Sequence, residues 1–139
     1  MDNNYGFSVS VGRDFDHTVE AVTGALKKQG FGIVSDIDMQ AIFKEKLAVD
    51  DRPYRILGVC NPMISHQALR ADADIGLLLP CNVVVRQDRD GRVVVSFTSP
   101  EALLGITGND DLIVLGMEVR RRLERARDGI AADLDAKPA

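Results

Sequence analysis

Apolar and polar residues alternate strictly near the start of this chain. Tyr5, Phe7, Val9 and Val11 interleave with Gly6, Ser8 and Ser10, the period-2 signature of a strand with one face in a core. The period then lengthens. Phe15, Val19, Val22 and Leu26 recur at steps of four, three and four, which predicts an amphipathic helix. Asp14 is placed to cap its start, and Gly30 to close it in a left-handed turn. Residues 31–37 read as a second strand, with Phe31, Ile33 and Ile37 expected on one face. Residues 38–47 read as a short helix capped by Asp38, with Met39, Ile42 (or Phe43) and Leu47 as its buried side. Asp50-Asp51-Arg52-Pro53 breaks that helix, and a third strand runs from Tyr54 to Cys60.

The second half continues in the same way. Asn61-Pro62 ends the third strand and opens a short helix to Ala71, with Pro62 near its first position. Leu77, Leu78 and Leu79 carry the chain to Pro80. Residues 81–86 and 92–97 are β-rich runs joined across Asp90-Gly91, a hairpin signature. Ser99-Pro100 can start a brief helix, and Gly105 and Gly108 mark a turn. Asn109 or Asp110 then caps the longest helix. Its apolar positions Leu112, Leu115, Val119, Leu123, Ala126, Ile130 and Leu134 step by three or four. Residues 135–139 read as a frayed tail. This order predicts a two-layer α+β fold, a mainly antiparallel sheet covered on one face by the long C-terminal helix. A doubly wound parallel sheet would need regular crossover helices that this pattern lacks.

Composition narrows the class without naming a function. A chain of 139 residues with 45% hydrophobic content fits one domain over residues 1–139, its core spanning about residues 5–134. A net charge of −4 argues against nucleic acid as a partner. No run reaches the roughly 18 apolar residues of a membrane span. The first residues lack the basic and apolar regions of a secretory signal, so a cytoplasmic location is expected. Two cysteines do not make a disulfide framework.

Those two cysteines concentrate the unusual chemistry. Cys60-Asn61-Pro62 and Pro80-Cys81-Asn82 mirror one another, 21 positions apart from thiol to thiol. If the third and fourth strands are antiparallel neighbours, the end of one lies beside the start of the other and the thiols meet. The asparagines could then satisfy backbone groups at that end of the sheet. With His66 one helical turn beyond, Cys60, Cys81 and His66 form a candidate set for zinc or copper. The spacing matches no recognised metal pattern, and three other readings stay open: two buried small apolar side chains, a thiol enzyme with His66 as base, and a disulfide. His17 reads as a surface histidine, and Asp36 and Asp38 as exposed or capping carboxylates. Arg120-Arg121-Arg122 spread around the last helix, with Glu118 set to pair Arg122 and Glu124 to pair Arg127. That reads as a solvated helix face. No phosphate-binding glycine motif occurs, so no nucleotide cofactor is indicated.

Three segments carry a family resemblance: residues 38–47 with Lys44-Glu45-Lys46, residues 53–62 ending in Cys60-Asn61-Pro62, and residues 76–83 with Pro80-Cys81-Asn82. Together they resemble the DUF302 family of uncharacterised bacterial and archaeal proteins, over residues from Tyr5 to about Ile130. Ile42-Phe43 departs from the smaller or more polar residues expected before Lys-Glu-Lys. The resemblance implies a TATA-box-binding-protein-like α+β fold, a β-α-β(4)-α core with additional short helices, and a homodimer. It implies no DNA binding, since fold does not fix function. It also supplies no catalytic residues, and whether the protein is an enzyme stays open. What it marks is Cys60, Asn61, Pro62, Pro80, Cys81, Asn82 and Lys44 as candidate contacts for a small molecule or a soft metal ion.

Overall fold

A computed structural model describes residues 2–134; the tail expected at 135–139 lies outside them. Strand β1 (Gly6–Val11) leads into helix α1 (Phe15–Lys28), then β2 (Gly32–Asp38), α2 (Met39–Leu47), β3 (Tyr54–Cys60) and α3 (Pro62–Ala71). A 3-10 turn at Ile75–Leu78 precedes β4 (Cys81–Gln87), β5 (Val93–Thr98), α4 (Pro100–Gly105) and α5 (Asp110–Asp133). The strands form one sheet in the order β1-β5-β4-β3-β2, every neighbouring pair antiparallel. Setting the short helices aside leaves β-α-β(4)-α, the expected core.

The alternating residues explain why one face is buried. Phe7 pairs with Phe97, Phe97 with Val83, and Val83 with Leu57, so one apolar row crosses four strands. The two phenylalanines stack with ring centroids 5.3 Å apart. Helices α1 and α5 pack against each other and close this face. Val22 and Leu26 from α1, and Leu123, Ala126 and Ile130 from α5, are fully enclosed there. A smaller cluster of Ala68, Ile75, Leu104 and Leu112 sits where α3, the 3-10 turn, α4 and α5 converge. Among the described residues, no helix covers Ser8, Ser10, Asn82, Val84, Val94 and Ser96 on the opposite face of the sheet, where they line an open depression.

The caps form as their side chains require. Asp14, Asp38, Asn61 and Asn109 each accept a backbone N–H in the first turn of the helix they precede. Gly30 takes φ +86° just beyond α1, a conformation that costs a glycine nothing. In the β4–β5 hairpin Gly91 takes φ +85°.

Two expectations about apolar faces are corrected. Phe31, Ile33 and Ile37 do not share a face, because a bulge between Ile33 and Ser35 shifts the register. One extra residue, Val34, turns the rest of β2 over. Ile33 therefore lies opposite Val59, towards the helices, whereas Ile37 lies opposite Ile56 on the uncovered face. Helix α2 buries no residue fully: Met39 and Phe43 are half-buried, while Ile42 and Leu47 are exposed. The leucine run before Pro80 is a 3-10 turn with Leu77 outermost.

The arginine-rich face of α5 is also more than a solvated surface. Arg120 donates from Nη1 to Ser99 Oγ (3.0 Å) and Glu101 Oε1 (2.9 Å), with its guanidinium 4.0 Å from the Phe7 ring centroid. Glu124 pairs with Arg120 rather than Arg127, which turns to Asp128. The expected pair of Glu118 with Arg122 forms at 3.0 Å, and Arg121 joins it.

Candidate functional site

Cys60 ends β3, and Cys81 begins β4 directly opposite Val59. Antiparallel pairing thus returns both cysteines to one end of the sheet. There they line one small cavity of about 30 Å³, together with Phe31, Ser65, Ala68, Leu104 and Val119. The space lies between the main core and the smaller cluster. About one probe sphere of 10–15 Å³ accommodates a water, so this cavity has room for one ion or a very small molecule and little more.

Local sequence explains how the thiols are held. Asn61 caps α3, its Oδ1 accepting from Ile64 N at 3.1 Å and its Nδ2 donating to Gly30 O at 3.2 Å. One asparagine therefore ties α3 to the turn after α1. Pro62 begins the helix, where a missing N–H costs nothing. The first turn then directs Ser65 back to β3, with Cys60 Sγ and Ser65 Oγ 2.8 Å apart. Cys81 is only 9% exposed. Burial, and then the neighbouring Cys60, push its thiol up to about 11, because a thiolate there would lack water.

The other expected residues are scattered. Pro80 follows a cis peptide bond and packs over Gly58, where a Cβ would come within 2.8 Å of Pro80 Cγ and would also meet Ser35 Oγ. Asn82 is exposed on the uncovered sheet face, away from the cavity. His66 is exposed on α3 and does not line the cavity. Lys44 lies exposed on α2, bonded to Asp50 at 2.7 Å. Cys60, Cys81 and His66 do not come together as a metal set; among the described residues no group of three or more His, Cys, Asp or Glu could hold a metal ion. His17 is exposed, as expected. Asp38 caps α2, whereas Asp36 is engaged by Arg55, whose guanidinium lowers its pKa.

Sequence reasoning missed Ser65, Phe31 and Arg120. For Ser65 a signal existed: Ile64, Ser65 and Ala68 share one helical face.

The geometry invites comparison with known proteins. The family model described as "Domain of unknown function DUF302" matches residues 7–130. The chain belongs to the DUF302 family. The crystal structure of an uncharacterized conserved DUF302 protein from Bacillus stearothermophilus is similar, with a TM-score of 0.84 and 27% identity, over 90% of this chain and 97% of that one. No curated protein matches the sequence. The β-α-β(4)-α order is thus a DUF302 fold, and the family's description leaves the function to be argued from the site. Among the described residues, no helix of this DUF302 chain is long and apolar enough to cross a membrane.

Proposed function

We propose that this DUF302 protein is a cytoplasmic homodimeric binding protein whose ligand is a single soft metal ion held between Cys60 and Cys81. One observation carries the reading: two thiols from neighbouring strands line the same small cavity, and its volume of about 30 Å³ admits one ion. Thiolate sulfur selects soft ions such as Cu(I). A structural zinc site takes four protein ligands, and the cavity offers two thiols and the hydroxyl of Ser65. Cu(I) therefore fits the donor set better than zinc. Asn61 and Pro62 serve this site by fixing α3, and Pro80 by fixing the entry to β4. An organic ligand of any size beyond a very small molecule, the other class the paired motifs suggested, is too large for this cavity.

Binding must displace the Cys81 proton, since that thiol stays protonated through neutral pH. Affinity for Cu(I) therefore rises as pH rises between about 6 and 9. An anaerobic titration of Cu(I) against a chromophoric competitor tests the reading, using wild type, Cys60→Ser and Cys81→Ser. We expect one equivalent bound by wild type, removable by chelator, and at least a 100-fold weaker affinity in each variant. Full affinity in both variants would place any copper elsewhere and end the proposal. A thiol enzyme with His66 as base is the second class, and the exposed position of His66 outside the cavity gives it less support.

A further inference from the structure

We propose that Cys60 and Cys81 are also an oxidation site, where hydrogen peroxide entering the cavity joins the two thiols in a disulfide and so closes the site to copper. The inference rests on the copper reading above only for that last consequence. The cross-link itself needs the geometry alone.

Both thiols are free. Cys81 lies opposite Val59, the residue before Cys60 in β3. Paired antiparallel residues are about 5 Å apart between Cα atoms and one step along a strand adds about 3.3 Å, which sets the Cα atoms of Cys60 and Cys81 about 6 Å apart. Disulfides span about 4.4–6.8 Å between Cα atoms. Alternation along β3 would send the Cys60 side chain to the face opposite Val59. Its sulfur instead meets Ser65 Oγ on α3, 2.8 Å away, and lines the same cavity as Cys81. Strand register brings the two backbones to bridging distance, and the Ser65 contact holds the Cys60 sulfur on the side where Cys81 lies.

Size and polarity select the oxidant. The cavity of about 30 Å³ is lined mostly by apolar residues, and a water needs about 10–15 Å³ of it. Hydrogen peroxide, uncharged and built of two oxygens, meets both limits. Exposure sets the order of the steps, because Cys60 is half-buried and Cys81 is buried. The Cys60 sulfur attacks one peroxide oxygen and the O–O bond breaks. The other oxygen leaves as water with the thiol proton, and Cys60 becomes a sulfenic acid. The Cys81 sulfur then attacks the Cys60 sulfur, the S–O bond breaks, and hydroxide leaves with the Cys81 proton as a second water. Two electrons pass from the thiols to the peroxide. The chain has two cysteines, so no other thiol in it can resolve the sulfenic acid.

The test treats the reduced, metal-free full chain with hydrogen peroxide, alkylates the remaining thiols in denaturant, and reads intact mass and linked peptides. We expect wild type to lose two hydrogens, to take up no alkyl group and to yield a Cys60–Cys81 peptide pair, all reversed by dithiothreitol. Cys81→Ser should stop at a Cys60 sulfenic acid that a 1,3-dione traps, and Cys60→Ser should be oxidised roughly 10-fold more slowly or less. Cumene hydroperoxide has the same reactive bond in a bulkier molecule. Against their rates with free cysteine, it should cross-link wild type roughly 10-fold more slowly than hydrogen peroxide does. Equal relative rates would overturn attack within the cavity. Wild type that accumulates sulfenic or sulfinic acid without a cross-link, links two chains instead, or stays reduced overturns the inference. The wild-type arm needs no substitution, so a variant that does not fold leaves the cross-link decided. The competitor titration separates the two readings. Oxidised wild type should bind no Cu(I), and reduction followed by removal of the reductant should restore one equivalent. A cross-link in a chain that binds no Cu(I) in either state ends the copper reading alone, and Cu(I) binding without any cross-link ends this inference alone.

Discussion

Raising the pH should unfold this protein partly through one buried thiol. The folded protein holds Cys81 at a pKa of about 11 against an ordinary 9.0, mainly because burial removes water from the thiolate. Each pKa unit is worth about 1.4 kcal/mol of preference between protonation states, so a two-unit rise corresponds to roughly 2.7 kcal/mol. The folded state binds the proton more tightly than the unfolded chain does. That stabilisation is fully present below pH 9 and is lost as pH climbs through 11. Urea unfolding from pH 8 to pH 11 measures it, with wild type and Cys81→Ala run in parallel so that lysine and tyrosine titrations cancel in the difference. Wild type should lose about 2–3 kcal/mol more than the variant across this range, most of it above pH 9. Curves that stay parallel would mean water reaches the folded thiol, and the burial of Cys81 would be wrong.

Three further outcomes follow from named contacts. At pH 8 a thiol-specific reagent should modify Cys60 first. Cys81, with about one thiolate in 1,000 at that pH, should react only as fast as the protein opens, a difference that mass mapping of labelled peptides resolves. Arg120→Ala removes the partner of Glu101, the donor to Ser99 and the cation over Phe7. It should cost about 2–4 kcal/mol in a urea melt, and Arg120→Lys, unable to span the same contacts, should recover less than half. Gly58→Ala drives a methyl group against Pro80 Cγ and Ser35 Oγ. Its expected loss is about 1–3 kcal/mol by the same melt, and an unchanged midpoint would refute the tight packing of Pro80 on β3.

Much of this fold is written in local periods. Residues 5–11 alternate because one side of β1 faces α5, and the three-and-four stepping from Leu112 to Ile130 follows the side of α5 that meets the sheet. The meeting of Cys60 and Cys81 needed only one non-local assumption, that β3 and β4 are antiparallel neighbours. What stayed hidden depends on information no window of sequence contains. Val34 looks like one more strand residue, yet as a bulge it reverses the side on which Ile37 emerges. The period of α2 identifies an apolar stripe, but not whether this chain or another covers it. Arg120 sits in a run that local ion pairing seemed to explain; its partners Phe7, Ser99 and Glu101 come from β1 and from the start of α4. Gly116 occupied a gap in the apolar stripe, and its role is the close crossing of α5 over Pro100 and Glu101, 3.0 Å from a would-be Cβ.

The thiol cavity and helix α2 lie at opposite ends of β3. Cys60 pairs with Gly32 at one end, and Arg55 pairs with Asp38, the cap of α2, at the other. Seven residues of strand at about 3.3 Å each separate them by roughly 20 Å. An ion between Cys60 and Cys81 therefore touches no group of α2. Coupling between two sites is reciprocal, and it needs an element that both of them bias; the strand between them supplies no such contact. The expected result is a Cu(I) affinity identical in wild type and in the Ile42→Lys/Leu47→Glu variant, measured by the same competitor titration. An affinity that falls in that variant, with its circular dichroism unchanged, would mean that α2 bears on the cavity and would refute this separation of the two.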